Sequence, residues 1–426
     1  MLRQKAKAIF EAGLARMEPS RLVEDIALPS PAGSGRLLVF GAGKASAHLA
    51  ASLEDHLDGR DYTGRVLVKH GHGAALSRLS IEEGGHPLPD AAGLDATTRL
   101  RDDLTSTQAD DRVVFLLTGG ASALLVAPAN GLSLEDKVSI TGLLLRSGAT
   151  IQELNAVRKH LSAVKGGRLL EQLLPARVLT LVVSDVIGND LSSIGSGPTT
   201  ADPSTFEEAV AILDRYHVSD ETPERVMKHL REGARGAIPE TPKPGAAALG
   251  NVEHIILGSN RDLVEAARAE ASALGFTVEI FAEDLVGSVH ERARAFAKAL
   301  RACQKRPEPV ALIAGGELTL KVTGTGLGGR SQEFALVTAR ELEGAAGVAV
   351  LAAGSDGTDG PTDAAGAFAD GDTWARGRET GLAPEEYLAN NDAYSFFDAL
   401  GALLKTGPTG TNVNDLMIGL TSGFEH

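Results

Sequence analysis

Lys44 stands in Gly41-Ala42-Gly43-Lys44-Ala45-Ser46, directly after the apolar run 37–40 and before a helical pattern carrying Leu49 and Leu53. In that context backbone N–H groups and the positive end of a helix hold phosphate, with Gly41, Gly43 and Ser46 as contacts beside Lys44. The stretch is not a Walker A loop, because Leu38 stands where its first glycine belongs and Ala45 where Ser or Thr would meet a metal. It also reads as a plain strand-to-helix turn with Lys44 in water. Thr118-Gly119-Gly120-Ala121-Ser122 follows the apolar run 112–117 in the same manner. The G-x-S-x-G elbow is absent around Ser122, so this loop reads as backbone binding through Gly119, Gly120 and Ser122, not as a nucleophile.

Asp356, Asp359 and Asp363 fall in a glycine-rich loop after the apolar run 348–353. Their spacing fails the calcium-loop rule, yet carboxylates at a strand end suit Mg²⁺ or a general base; solvated turn acids are the other reading. Asp185 ends a further strand pattern and reads as a catalytic carboxylate or as a cap. Gly324, Gly326 and Gly329 match G-x-G-x-x-G. The segment before them alternates Leu318, Leu320 and Val322 with polar residues, unlike the buried first strand of a dinucleotide fold, and no acid is placed for a ribose. Arg330 at the following helix start instead sets a planar cation among backbone amides, suited to phosphate. His70, His72 and His86 read as loop histidines, since no fourth ligand has matching spacing. Cys303 reads as a packed side chain.

These groups need a frame. Short apolar runs, glycine-rich loops and helical patterns alternate along the chain, which predicts an α/β fold of two domains with mainly parallel sheets. Ligands of such Rossmann-like sheets gather at the carboxyl ends of the strands, where Asn189, Asn260, Glu317, Gly328 and Gly329 also fall. Three prolines within 239–244 predict a linker at 238–248, separating an N-terminal domain at 1–237 from a C-terminal one at 249–426, whose last residues could pack back on the first. Leu2, Ile9, Phe10, Leu14 and Met17 predict a docking first helix.

Composition removes whole classes. The 426 residues carry 41 Lys+Arg against 56 Asp+Glu, a net charge of −15, so neither nucleic acid nor an anionic membrane is an expected partner. An anionic substrate must then be met by a few local cations or amides. One cysteine excludes an internal disulfide and thiolate zinc sites. No apolar run is long enough to span a bilayer, and a cytoplasmic enzyme is expected, with a homo-oligomer left open.

Several stretches, taken in order, resemble the type II glycerate kinases, the glycerate 2-kinase family with a leucine-rich C-terminal region. The resemblance rests on 41–46, on Glu83-Gly84-Gly85-His86-Pro87-Leu88-Pro89-Asp90, on 117–122 and on Asn155-Ala156-Val157-Arg158-Lys159-His160-Leu161-Ser162. It continues through 165–168, 184–189, 315–317, 328–333, 354–360 and Gly407-Pro408-Thr409-Gly410-Thr411-Asn412-Val413-Asn414-Asp415. It implies transfer of the ATP γ-phosphoryl group to D-glycerate with Mg²⁺, giving 2-phosphoglycerate, in a cleft flanked by two α/β domains. It further implies Lys44 and Arg330 as the basic residues of the site and Asp185 and Asp356 as its carboxylates; among the loop acids read above, Asp356 and Asp359 are the candidate metal ligands. His70 departs from the tyrosine expected there. The rival readings are an NAD(P)-dependent hydroxypyruvate reductase, which needs the ribose acid, and a non-catalytic sensor of small phosphorylated acids, which needs no carboxylate cluster.

Overall fold

The computed structural model describes residues 1–423 and divides into two units, Val23–Leu257 and Met1–Leu22 together with the chain from Gly258 on. The first unit is built on a six-stranded sheet of β1 (Leu37–Ala42), β2 (Tyr62–Lys69), β3 (Ser80–Gly84), β4 (Arg112–Leu117), β5 (Arg177–Val183) and β6 (Val252–Gly258). Their order is β3-β2-β1-β4-β5-β6, and every pairing from β3 to β5 is parallel. The middle strands are apolar without alternation because helices cover both faces. Leu38, Phe40, Val113 and Phe115 pack with Leu100 and Leu169 of flanking helices. The strand order reverses between β1 and β4, so the loops after these two strands line the crevice where doubly wound sheets take ligands. A satellite core of Leu144, Val157, Phe206, Leu213 and Leu230 holds a helical layer beside the sheet.

The second unit carries β7 (Thr277–Ser288), β8 (Val310–Thr319), β9 (Val348–Gly354), β10 (Gly366–Asp370), β11 (Leu403–Leu404) and β12 (Asp415–Thr421), in the order β11-β10-β9-β12-β8-β7. Only β7 and β8 run parallel; β12 lies antiparallel between β8 and β9, and β10 is antiparallel to β9. The expectation of a mainly parallel sheet is therefore corrected here. Buried strands look alike in either direction, and here no helix separates β9 from β10, so the chain turns straight back. Phe296, Phe334, Trp374, Phe396 and Met417 form the core of this unit.

Three boundaries also differ from the sequence expectation. The strand read as restarting the pattern at 254–257 is β6, which closes the first sheet. The proline-rich stretch is no free linker: Pro242 accepts from the Asp202 amide, Thr241 is buried against Asp202, and Glu240 accepts from the Phe206 amide. The C-terminal strand β12 belongs to the second sheet. The helix Leu2–Arg16 docks as expected, with Ile9, Phe10 and Met17 buried, but on the helix Asn260–Ala273 of the second unit.

Candidate active site

In the first unit, β1 delivers Lys44 to the crevice. Gly43 turns the chain at φ +136°, and a Cβ there would overlap Thr118 after β4, so only glycine lets the two loops close on each other. The closure consumes the loop's amides. Gly43 N–H donates to Leu67 O, Lys44 N–H to Gly119 O (2.8 Å) and Ala45 N–H to Thr118 Oγ1 (3.2 Å). Gly41, Gly43 and Ser46 are buried, and the Ser46 hydroxyl faces Thr118 Oγ1 at 3.3 Å. The expectation of an amide cradle at 41–46 is thus corrected: these residues build the turn from which the half-buried Lys44 extends. The amides of Gly119 and Gly120 donate to no protein group among the described residues.

Sequence reasoning missed His86. Its ring and the Lys44 stem flank Gly120, where an added Cβ would stand 3.0 Å from Lys44 Cγ and 3.1 Å from His86 Cδ2. Burial, then the charges of Lys44, Lys69 and His72, push the imidazole down to about 4, so it is neutral at pH 7. The signal was the Gly-Gly-His-Pro run, read as a loop. His70 instead meets Asp90 Oδ2 at 2.8 Å. Asp185 and Asn189 follow β5, the next strand over; both are half-buried, and the cap position of the Ile187–Asn189 turn is Val186, so Asp185 is not its cap.

In the second unit, Arg330 opens the helix Arg330–Glu341. Its Nε and Nη2 donate to Asp415 Oδ2 and Oδ1 at 2.6 and 3.1 Å, and Nη1 donates to Glu317 Oε1 at 2.6 Å. Burial alone would weaken its charge, but Asp415 and Glu317 hold the guanidinium above its ordinary value. Burial lifts the Asp415 carboxyl to about 6 against the pull of Arg330, with Glu317 and Asp356 adding to the rise. Asn260 is buried, its Nδ2 donating to Val413 O and Asp415 O at 2.7 and 3.0 Å, so it ties down the start of β12.

Asp359 is not placed as a metal ligand. It is 4% exposed and accepts from the Ser331 and Gln332 amides at 3.1 and 2.7 Å, capping the Arg330 helix from outside. Gly329 gives it room, since a Cβ at that position would overlap the carboxyl. Asp356 is half-buried and accepts from the Thr358 amide and hydroxyl at 3.0 and 3.1 Å. Among the described residues no group of three or more His, Cys, Asp or Glu is arranged to hold a metal. Such donors fit Mg²⁺ that arrives on a nucleotide, met by one carboxylate, and not a dedicated cage.

The G-x-G-x-x-G stretch is closed. Asn391 Oδ1 accepts from the Thr323 and Gly324 amides, Asn390 Oδ1 from Thr325, Asn390 O from Gly326, and Asp392 Oδ1 from Leu327. No amide among these is left for a pyrophosphate; Gly324 and Gly326 serve close packing on Asn390 and Asp392, and Gly329 on Asp359. Gly328 has ordinary clearance and is half-buried.

The first unit is a doubly wound α/β sheet with a lysine at its switch point, where such folds take ligands, and the second is an α/β unit that holds an arginine in a carboxylate fork. The model of a domain family of unknown function, DUF4147, matches residues 5–231, and that of the MOFRL family matches residues 310–415. A D-glycerate 2-kinase of Thermotoga maritima is 41% identical over 424 residues, covering 98% of each chain. A glycerate 2-kinase of Pyrococcus horikoshii is 39% identical over 91% of this chain and 88% of its own. The crystal structure of glycerate kinase from Thermotoga maritima matches with a TM-score of 0.88, at 40% identity and 99% of both chains. The chain belongs to the glycerate kinase family.

Proposed function

We propose that this enzyme transfers the γ-phosphoryl group of MgATP to the 2-hydroxyl of D-glycerate, giving 2-phosphoglycerate and ADP. The glycerate oxygen bonds to the γ-phosphorus, the bond to the β,γ-bridging oxygen breaks, and the hydroxyl proton passes to a carboxylate. Such a transfer demands positioning and charge neutralisation more than covalent chemistry. Lys44 and Arg330 supply that charge, against phosphate oxygens or the glycerate carboxylate. The Gly119–Gly120 amides add backbone donors. Asp185, after β5, and Asp356, after β9, are the carboxylates proposed to orient the hydroxyl or to meet the Mg²⁺ carried by ATP.

The observation that carries this reading is the full-length likeness to a D-glycerate 2-kinase, together with Lys44 at the switch point. A 40% identical protein of Agrobacterium vitis bears a hydroxypyruvate reductase name, but the closed 323–328 stretch offers no dinucleotide seat. Purified protein with D-glycerate, ATP and Mg²⁺ tests the reading, with phosphorus NMR of the product. The 2-phosphate signal should appear only when all three are present, and chelation should abolish it. Oxidation of NADH by hydroxypyruvate, with no phosphorylated product, would overturn it.

A further inference from the structure

We propose that Arg158, held through the Ser122 carbonyl that it shares with Lys165, forms with the Gly119–Gly120 loop an oxyanion subsite that holds a carboxylate or phosphate oxygen of the reacting pair. The inference rests on the kinase reading above.

Three basic side chains converge here without an acid. Arg158 Nη2 and Lys165 Nζ both donate to one carbonyl, Ser122 O, at 3.2 and 2.9 Å. Lys165 Nζ also reaches Gly195 O at 3.4 Å, and Lys137 Nζ donates to Leu161 O at 3.0 Å and Arg158 O at 3.5 Å. None of the three has a carboxylate partner among the described residues, although acids outnumber bases in this chain. Their neighbour Lys159 shows the usual arrangement, buried against Asp202 at 3.2 Å. Burial, then Arg158 and Lys137, hold Lys165 well below the lysine range, and burial, then Arg158, brings Lys137 down to about 7, so burial favours the neutral lysines and leaves Arg158 as the cation of the group. Carbonyl oxygens offset only part of the cost of burying a guanidinium, so Arg158 calls for an anion from outside.

The group also has an open side. Lys165 and Ser196 are sealed, whereas Ser122 and Arg158 are half-buried. Arg158 spends one N–H on the Ser122 carbonyl, and the rest of its fork meets no protein acceptor among the described residues. The Ser122 hydroxyl lies 2.9 Å from Ser196 Oγ, and Ser196 in turn donates to Asn155 Oδ1 at 3.2 Å, which fixes the direction of this chain of hydroxyls. The Ser122 proton therefore goes to Ser196, and the hydroxyl anchors the loop. Gly119 and Gly120, three and two residues before Ser122, adjoin Lys44. A planar fork and two amides around one loop match an oxyanion better than any neutral ligand. Lys165 is a positioning residue that shares the Ser122 carbonyl with Arg158.

Steady-state kinetics and calorimetric binding of ADP and of D-glycerate, on the parent, Arg158→Gln and Arg158→Lys, test the proposal. An inactive parent would count against the kinase reading alone, and the binding measurements would still decide the subsite. The Gln variant should raise the KM and Kd of one substrate about 10- to 100-fold, with kcat much less affected and Lys restoring part of the loss. A rise for D-glycerate identifies the carboxylate as the bound group, and a rise for ATP and ADP identifies a phosphate. If both KM values and both Kd values stay within threefold of the parent, the subsite is wrong. Should Arg158→Gln fail to fold, Arg158→Lys takes its place, with a rise of about threefold to tenfold expected for one substrate. No change in either would equally overturn the proposal.

Discussion

Arg330 grips Asp415 with two N–H groups at 2.6 and 3.1 Å and gives a third to Glu317 at 2.6 Å, leaving two of its five donors for a ligand. The fork is therefore aimed by β8 and β12, the two strands that carry its partners.

Lysine keeps the charge of Arg330 but cannot bridge both carboxylates and still face a substrate. Arg330→Lys should lower kcat/KM by at least about 10²-fold and lower the melting temperature by a few degrees, because the buried Asp415 loses its two-pronged partner. Kinetics within threefold of the parent would show that the geometry of the fork is not used.

Lys44 extends from a turn whose own amides are spent on β2 and on the Thr118–Gly119 loop. Lys44→Ala should lower turnover by roughly 10²–10⁴, some 3–5 kcal/mol of transition-state stabilisation, with little effect on the melting temperature. A raised KM with turnover intact would assign it to substrate binding alone, and turnover within threefold would remove it from the site.

Asp359 links the fold to pH. Burial lifts its carboxyl to about 7 from an ordinary value near 3.8, so the folded state binds this proton more tightly than the unfolded chain. Its contribution to stability is then fully present below about pH 4, falls as the pH climbs toward 7, and is level above that. Asp359→Asn cannot titrate, so the melting temperature of the parent relative to this variant should decline between pH 4 and 7. Asp415 titrates in both proteins and drops out of the comparison to first order. A constant difference across that window would mean that the Asp359 carboxyl is not sealed from water.

Residue order alone determined much of this protein. Continuous apolar runs ending in glycine-rich loops made the first sheet readable, because a strand covered on both faces has no polar side to display. The same loops located Lys44, Gly119, Gly120, Ser122 and Arg330, and the alternating segment 318–323 already spoke against a dinucleotide strand. Tertiary structure decided the rest. Periodicity reports how deeply a residue is buried, not which distant segment it meets. The antiparallel insertion of β12 between β8 and β9 depends on a pairing about a hundred residues apart in the chain, and so does the reassignment of β6 to the first sheet on its own scale. Whether a loop's amides are open is likewise a question of partners: those of 43–45 are taken by Leu67, Gly119 and Thr118, and those of 323–327 by Asn390–Asp392. Asp359 looked like a ligand beside Asp356 until Gly329 and the Ser331 amide closed over it. Arg158 and Lys165 drew no attention as single residues, for only folding brings them to the same carbonyl of Ser122, 36 and 43 positions away.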